Sequence, residues 1–139
     1  MMDDDGFASA LLRAMPDALV YADASGTIRN WNAAAERMFG YTAGEALGQR
    51  LDIIIPESLR RRHWNGYEQT MRTGQTRYGE GDVLAVPAIR KDGSRISIEF
   101  TVTLFRDGTG NTLGIAAIIR DVTKRFEEMQ ALRRRLAPG

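Results

Sequence analysis

The stretch "DVLAVPAIRKDGSRISIEFTVTLFRDGTGNTLGIAAIIRDVT", residues 82–123, holds three runs rich in Val, Ile, Thr and Phe, cut by the turn signals "KDGS" and "RDGTGN". Connections this short predict an antiparallel meander. Within it "RISIEFTVTLF" alternates. Ile96, Ile98, Phe100, Val102 and Leu104 fall on one face, and Ser97, Glu99, Thr101 and Thr103 on the other. One sheet face is therefore buried and the other partly polar. An apolar face needs cover, and the flanking sequence supplies helices for it.

N-terminal to the meander, Pro56 reads as the first helical position of a segment running to about Thr73, with Glu57 near the positive end of its dipole. Before it, "LDIII" is an apolar run halted by Pro56, and Thr42 caps a short helix through "AGEALG". "NAAAERMFG" has an Asn32 N-cap, helix formers and Gly40 as a stop. "ALVYADASGTIRNWN" reads as two strands joined at "ASG", where Gly26 supplies a positive φ. Phe7, Leu11, Leu12 and Met15 mark an amphipathic helix that stops before Pro16. After Asp121, Val122, Phe126, Met129, Leu132 or Arg133, and Leu136 approximate a heptad seam. The fold class is α+β.

Composition narrows the function. At 139 residues the chain suits one domain, and 43% hydrophobic with 27% charged residues is an ordinary globular balance. No run approaches the roughly 20 apolar residues of a membrane span. The N-terminus "MMDDDGF" has no signal-peptide core, so a cytoplasmic location is expected. With a net charge of +1, the clusters Arg60 to Arg62 and Arg133 to Arg135 read as solvated helix faces, and no nucleic-acid partner is expected. The absence of cysteine excludes disulfides, thiolate metal sites and cysteinyl adducts. No triad, Walker loop, zinc spacing or EF-hand loop is present, so no catalytic activity is expected.

Two strands, short helices, one longer helix and three strands closing in "IIRDVT" resemble the PAS sensor domain. The likeness covers "MPDALVYADASGTIRNWNAAAERMFGYTAGEALGQRL", "IRKDGSRISIEF" and the final "D-V-T". It implies a five-stranded antiparallel sheet curled around a pocket that helices cover, and a sensor or transducer. The expected division is a flanking helix over 1–15, the PAS domain over 16–121 and a signalling helix over 122–139. No output domain is expected within these 139 residues, so either an excised input domain or signalling by association is expected. In the family Asp121 and Thr123 fix the junction between sheet and outgoing helix, and local capping accounts for them equally well.

His63 is the single histidine. On a helix opening near Pro56, Leu59, His63, Tyr67 and Met71 form one inward stripe. Taken alone, such an imidazole reads as a neutral histidine bonded to a backbone carbonyl. "PESLRRRH", however, resembles the proximal-ligand stretch of haem-binding PAS domains in rhizobial oxygen-sensor kinases, which implies that His63 is an axial ligand of haem b. Phe39 matches an aromatic that lies beside the porphyrin in that family. The wall expected around the group is Ile53, Ile54, Leu84, Ile98, Phe100, Ile115 and Ile118, with Tyr67 on the helix. Arg60 to Arg62, Arg72 or Arg77 are candidate propionate partners, and Met38, Met71 and Met129 candidate soft ligands. The resemblance implies a diatomic gas or a redox change as the signal. One departure is plain: the family's distal arginine stretch corresponds here to "GEGDVLAV", with Asp82, Val83 and Leu84, and neither Val nor Leu donates a hydrogen bond.

Two other readings remain open. One is a cofactor-free relay module that forms a homodimer through the Phe7–Leu11–Leu12 helix and the Phe126 to Leu136 helix. The other is a redox flavin domain with Trp31 or Trp64 near the ring. Trp64 itself reads as packing against the sheet rim or a partner.

Overall fold

The computed structural model describes residues 2–76 and 83–137. Helix α1 (Asp4–Ala14) leads into β1 (Ala18–Asp23) and β2 (Ile28–Trp31), followed by α2 (Ala33–Phe39), α3 (Ala43–Ala46) and a 3-10 turn at Leu51–Ile54. Helix α4 (Glu57–Thr73) then precedes β3 (Leu84–Ile89), β4 (Arg95–Arg106), β5 (Thr112–Asp121) and α5 (Thr123–Leu136). All strands pair antiparallel in the order β2-β1-β5-β4-β3. The sequence-predicted elements are present. Pro56 stands one position earlier than expected, as the N-cap of α4, which suits a residue that cannot donate to a helix ladder.

Local chemistry places the helices. Asn32 Oδ1 caps α2 by accepting from Ala35 N at 3.0 Å, and it also accepts from Leu19 N at 2.9 Å. Asn32 Nδ2 donates to the Asp17 carbonyl. One side chain thus caps a helix and ties it to the start of β1, so a single polar residue is buried with its bonds satisfied. Thr42 and Glu45 form a reciprocal capping box on α3. At the last junction the Thr123 hydroxyl donates to Asp121 Oδ1 at 2.5 Å and accepts from Ser97 N at 2.9 Å. The start of α5 is therefore pinned to β4.

The buried core draws Ala18 and Val20 from β1, Ile28 and Trp31 from β2, Phe39 from α2, Ile54 from the 3-10 turn, Ile96 and Ile98 from β4, and Ile119 from β5. Among the described residues, α4 contributes nothing to this cluster. The longest helix over the sheet is thus held by other means.

Ile118 requires a correction. It was expected in the pocket wall, but register pairs it with Leu19 and Thr101, on the face away from the helices, and it is 39% exposed. Its neighbour Ile119, opposite Ala18 and Phe100, takes the core position at 3% exposure. Side-chain direction alternates residue by residue, so "IAAII" allows either phase until pairing selects one.

Candidate functional site

His63 lies on α4, one turn before the buried Tyr67. Its Nδ1 is buried and has no hydrogen-bond partner, the one such side-chain nitrogen or oxygen among the described residues. The carbonyl bond expected of an isolated core histidine is not made at that atom. Burial lowers the pKa of the imidazole; Asp52 opposes that shift and Arg50 adds to it. The neutral form, the one that ligates metals, is favoured.

Two rings flank it. The Trp64 centroid is 4.6 Å from that of His63 at 78°, and the Tyr67 centroid is 5.6 Å away at 36°. Tyr67 Oη donates to the Asp23 carbonyl at 2.5 Å and approaches that of Ala22 at 3.3 Å. Burial, then the charges of Asp23 and Tyr21, raise the Tyr67 pKa, so the hydroxyl remains a donor. Trp64 Nε1 donates to Asp52 Oδ1 at 2.6 Å, and Arg50 Cζ stands 4.0 Å from the centre of the indole. The edge of that indole rests on Gly26 in the β1–β2 turn, where any Cβ would overlap Trp64 Cη2 and Cζ3. These contacts hold α4 to the β1–β2 turn and the 3-10 segment.

The other expected wall residues separate into groups. Phe39, Ile54 and Ile98 are buried together in the core cluster, and Phe100 and Ile53 pack against it half-buried. Ile115, opposite Ala22 and Leu104, shares the core face of β5 and is half-buried. Leu84, opposite Phe100, is half-buried near the open end of β3. Trp31 is 5% exposed, donates to the Tyr41 carbonyl and packs on Phe39, so its ring faces are committed to the core. Arg60 Nε donates to the Ile55 carbonyl, Arg61 and Arg62 are exposed, and Arg77 and Asp82 lie outside the described residues. Met38 packs against the core, Met71 is half-buried and Met129 is exposed on α5. A groove of about 600 Å³ lies elsewhere, between α5 at Phe126 and Met129 and the strands at Val86 and Glu99.

Sequence reading missed Asp52 and Arg50 as charges acting on the histidine, and Gly26 and the Asp23 carbonyl as anchors of its flanking rings. Asp52 alone left a trace, as the single acid in the apolar run "LDIII". Gly26 and the Asp23 carbonyl act through backbone position, and the Arg50 side chain reaches Trp64 from outside α4.

No group of three or more His, Asp or Glu capable of holding a bare metal ion occurs among the described residues. A haem iron needs only an axial nitrogen, because the porphyrin supplies the rest. The buried, unpartnered Nδ1 of the half-buried His63, on a helix outside the core cluster, fits that requirement. Among the described residues no helix is long and apolar enough to cross a membrane.

Comparison with known proteins agrees with this architecture. Sensor protein FixL of Bradyrhizobium diazoefficiens is 30% identical over 128 residues, covering 88% of this chain and 25% of the relative. Oxygen sensor protein DosP of Escherichia coli is 27% identical over 103 residues, covering 74% of this chain and 12% of the relative. The chain thus spans a quarter or less of these relatives. The solved PAS domain of a protein from Colwellia psychrerythraea superposes with a TM-score of 0.75 at 21% identity, covering 88% of this chain and 99% of that one. A family model described as the PAS fold matches residues 6–122, and the chain belongs to the PAS family.

Proposed function

We propose that this sensory domain holds haem b through His63 and responds to a diatomic gas or to the redox state of the iron. The observation that carries the reading is the buried His63 Nδ1 without a partner, on a helix that gives nothing to the core cluster. The names of the FixL and DosP relatives, a sensor protein and an oxygen sensor, point the same way. When bound, haem supplies an iron that takes up a gas or changes oxidation state. His63 would offer the axial nitrogen, held neutral by burial. Phe39, Ile54, Ile98, Phe100 and Ile115 would keep water from the macrocycle, and Leu84 would give its far side an apolar lining. In this reading the domain detects and relays, and chemistry on a substrate is no part of its role.

The test is reconstitution with haemin and an absorption spectrum of wild type and His63→Ala. A Soret band in wild type that is weakened and displaced in the variant is expected. The same band in both would remove His63 from the ligand role, and no band in either would overturn the haem reading.

A second reading has its own observation. Phe7 and Leu11 on α1, and Phe126, Met129, Leu132 and Leu136 on α5, are all exposed. These stripes favour a homodimer through the terminal helices, with or without a cofactor. Sedimentation of the colourless protein tests it, and a monomer at high micromolar concentration would refute it.

A further inference from the structure

We propose that Asp52, acting through Trp64, is a positioning residue for the His63 imidazole; the inference rests on the haem reading above and deepens it. Ligand histidines are ordinarily oriented by an acceptor on the second ring nitrogen. Neither ring nitrogen of His63 makes a hydrogen bond among the described residues, so whichever one ligates, the other has no such acceptor. The Asp52 carboxylate acts electrostatically on the imidazole but gives its hydrogen bond to the indole N–H of Trp64, at 2.6 Å. Orientation of the imidazole is therefore set by packing between two rings, each anchored elsewhere.

The indole is held by three parts of the chain. Asp52 fixes its nitrogen, Arg50 lies 4.0 Å from its centre, and its outer edge occupies the space that the missing Cβ of Gly26 leaves. Arg50 is itself tied to the turn, donating to the Ser25 carbonyl at 3.4 Å. On the other side Tyr67 is fixed by the Asp23 carbonyl. Removing the Asp52 acceptor leaves a part-buried indole N–H unpaired, a cost the ring escapes by rotating toward water. The imidazole then loses one of its two walls.

A single histidine makes the measurement direct. In the haem-free full chain, the Cε1–H and Cδ2–H resonances of an isotopically labelled imidazole belong to His63 alone. Asp52→Ala is expected to displace both toward free-histidine values and to weaken haemin binding about tenfold, at the low end for lost outer partners. Asp52→Asn keeps an acceptor oxygen and is expected to retain the wild-type resonances and affinity. Unmoved resonances in Asp52→Ala would overturn the proposal. So would displacement of equal size in Asp52→Asn, which would assign the effect to charge. If Asp52→Ala does not fold by circular dichroism, Asp52→Leu fills the same space without an acceptor and carries the same two outcomes. Displaced resonances together with no haemin binding by wild type would overturn the haem reading and leave the positioning role supported.

Discussion

Replacement of Gly26 by alanine isolates the energy stored in the seat of Trp64. Two glycines with nearly equal backbones allow the separation: Gly26 has φ +82° and Gly93 φ +86°. Forcing alanine into the left-handed region costs about 1 kcal/mol at either position. At Gly93 nothing lies within 4 Å of the added Cβ, so that cost stands alone. At Gly26 the methyl group overlaps Trp64 Cη2 and Cζ3, and the indole must leave. It then gives up a hydrogen bond to the Asp52 carboxylate, worth about 1.5 to 3 kcal/mol, and the Arg50 contact, worth about 0.5 kcal/mol where exposed. The expected excess of Gly26→Ala over Gly93→Ala is about 2 to 3 kcal/mol by urea unfolding at neutral pH. Only two tryptophans are present, and Trp31 is 5% exposed in the core. A red shift of native-state emission in Gly26→Ala alone would thus report Trp64 entering water. Equal destabilisation of the two variants, or unshifted emission, would refute the packing of Trp64 on the turn.

Gly114→Ala tests the contact of β5 with β1, since its Cβ would overlap the Ala22 carbonyl oxygen and fall 2.6 Å from Tyr21 Oη. Overpacking against backbone is expected to cost about 3 kcal/mol in the urea midpoint, and a loss under about 1 kcal/mol would count against the register. Asp23 predicts a pH dependence. Burial pushes its pKa up, but hydrogen bonds from Ser25, Arg29 and Thr27 outweigh it and lower the value from 3.8 to about 2. A folded pKa below the unfolded one stabilises fully above pH 3.8, and the gain is lost as pH falls toward 2. Screening at this half-open turn limits the gain to about 1 kcal/mol. Asp23→Asn should therefore be about that much less stable at pH 7, with the gap closing toward pH 2; a gap independent of pH would refute the assignment.

Much of the fold was legible because its determinants are local. Alternation in "RISIEFTVTLF", the Asn32 and Thr42 caps, the turn at "ASG" and the stop at Gly40 each act within a few residues, and the structure reproduces them. The inward stripe of α4 was legible too, since helical period alone aligns His63 with Tyr67. Around the histidine that legibility fails. The partners of its flanking rings are Asp52, 12 residues from Trp64, and the Asp23 carbonyl, 44 residues from Tyr67.

The sequence by itself determined the element order, the caps, the single imidazole and its inward direction, because steric period and short-range hydrogen bonding decide those. The tertiary structure alone decided which isoleucine of β5 faces the core, since an all-apolar run satisfies burial in either phase until β1 and β4 set the register. It also decided that Trp64 closes on Gly26 and Asp52, and that Nδ1 of His63 is buried without a partner. Those facts depend on where the β1–β2 turn meets α4 in space, and no local pattern encodes that meeting.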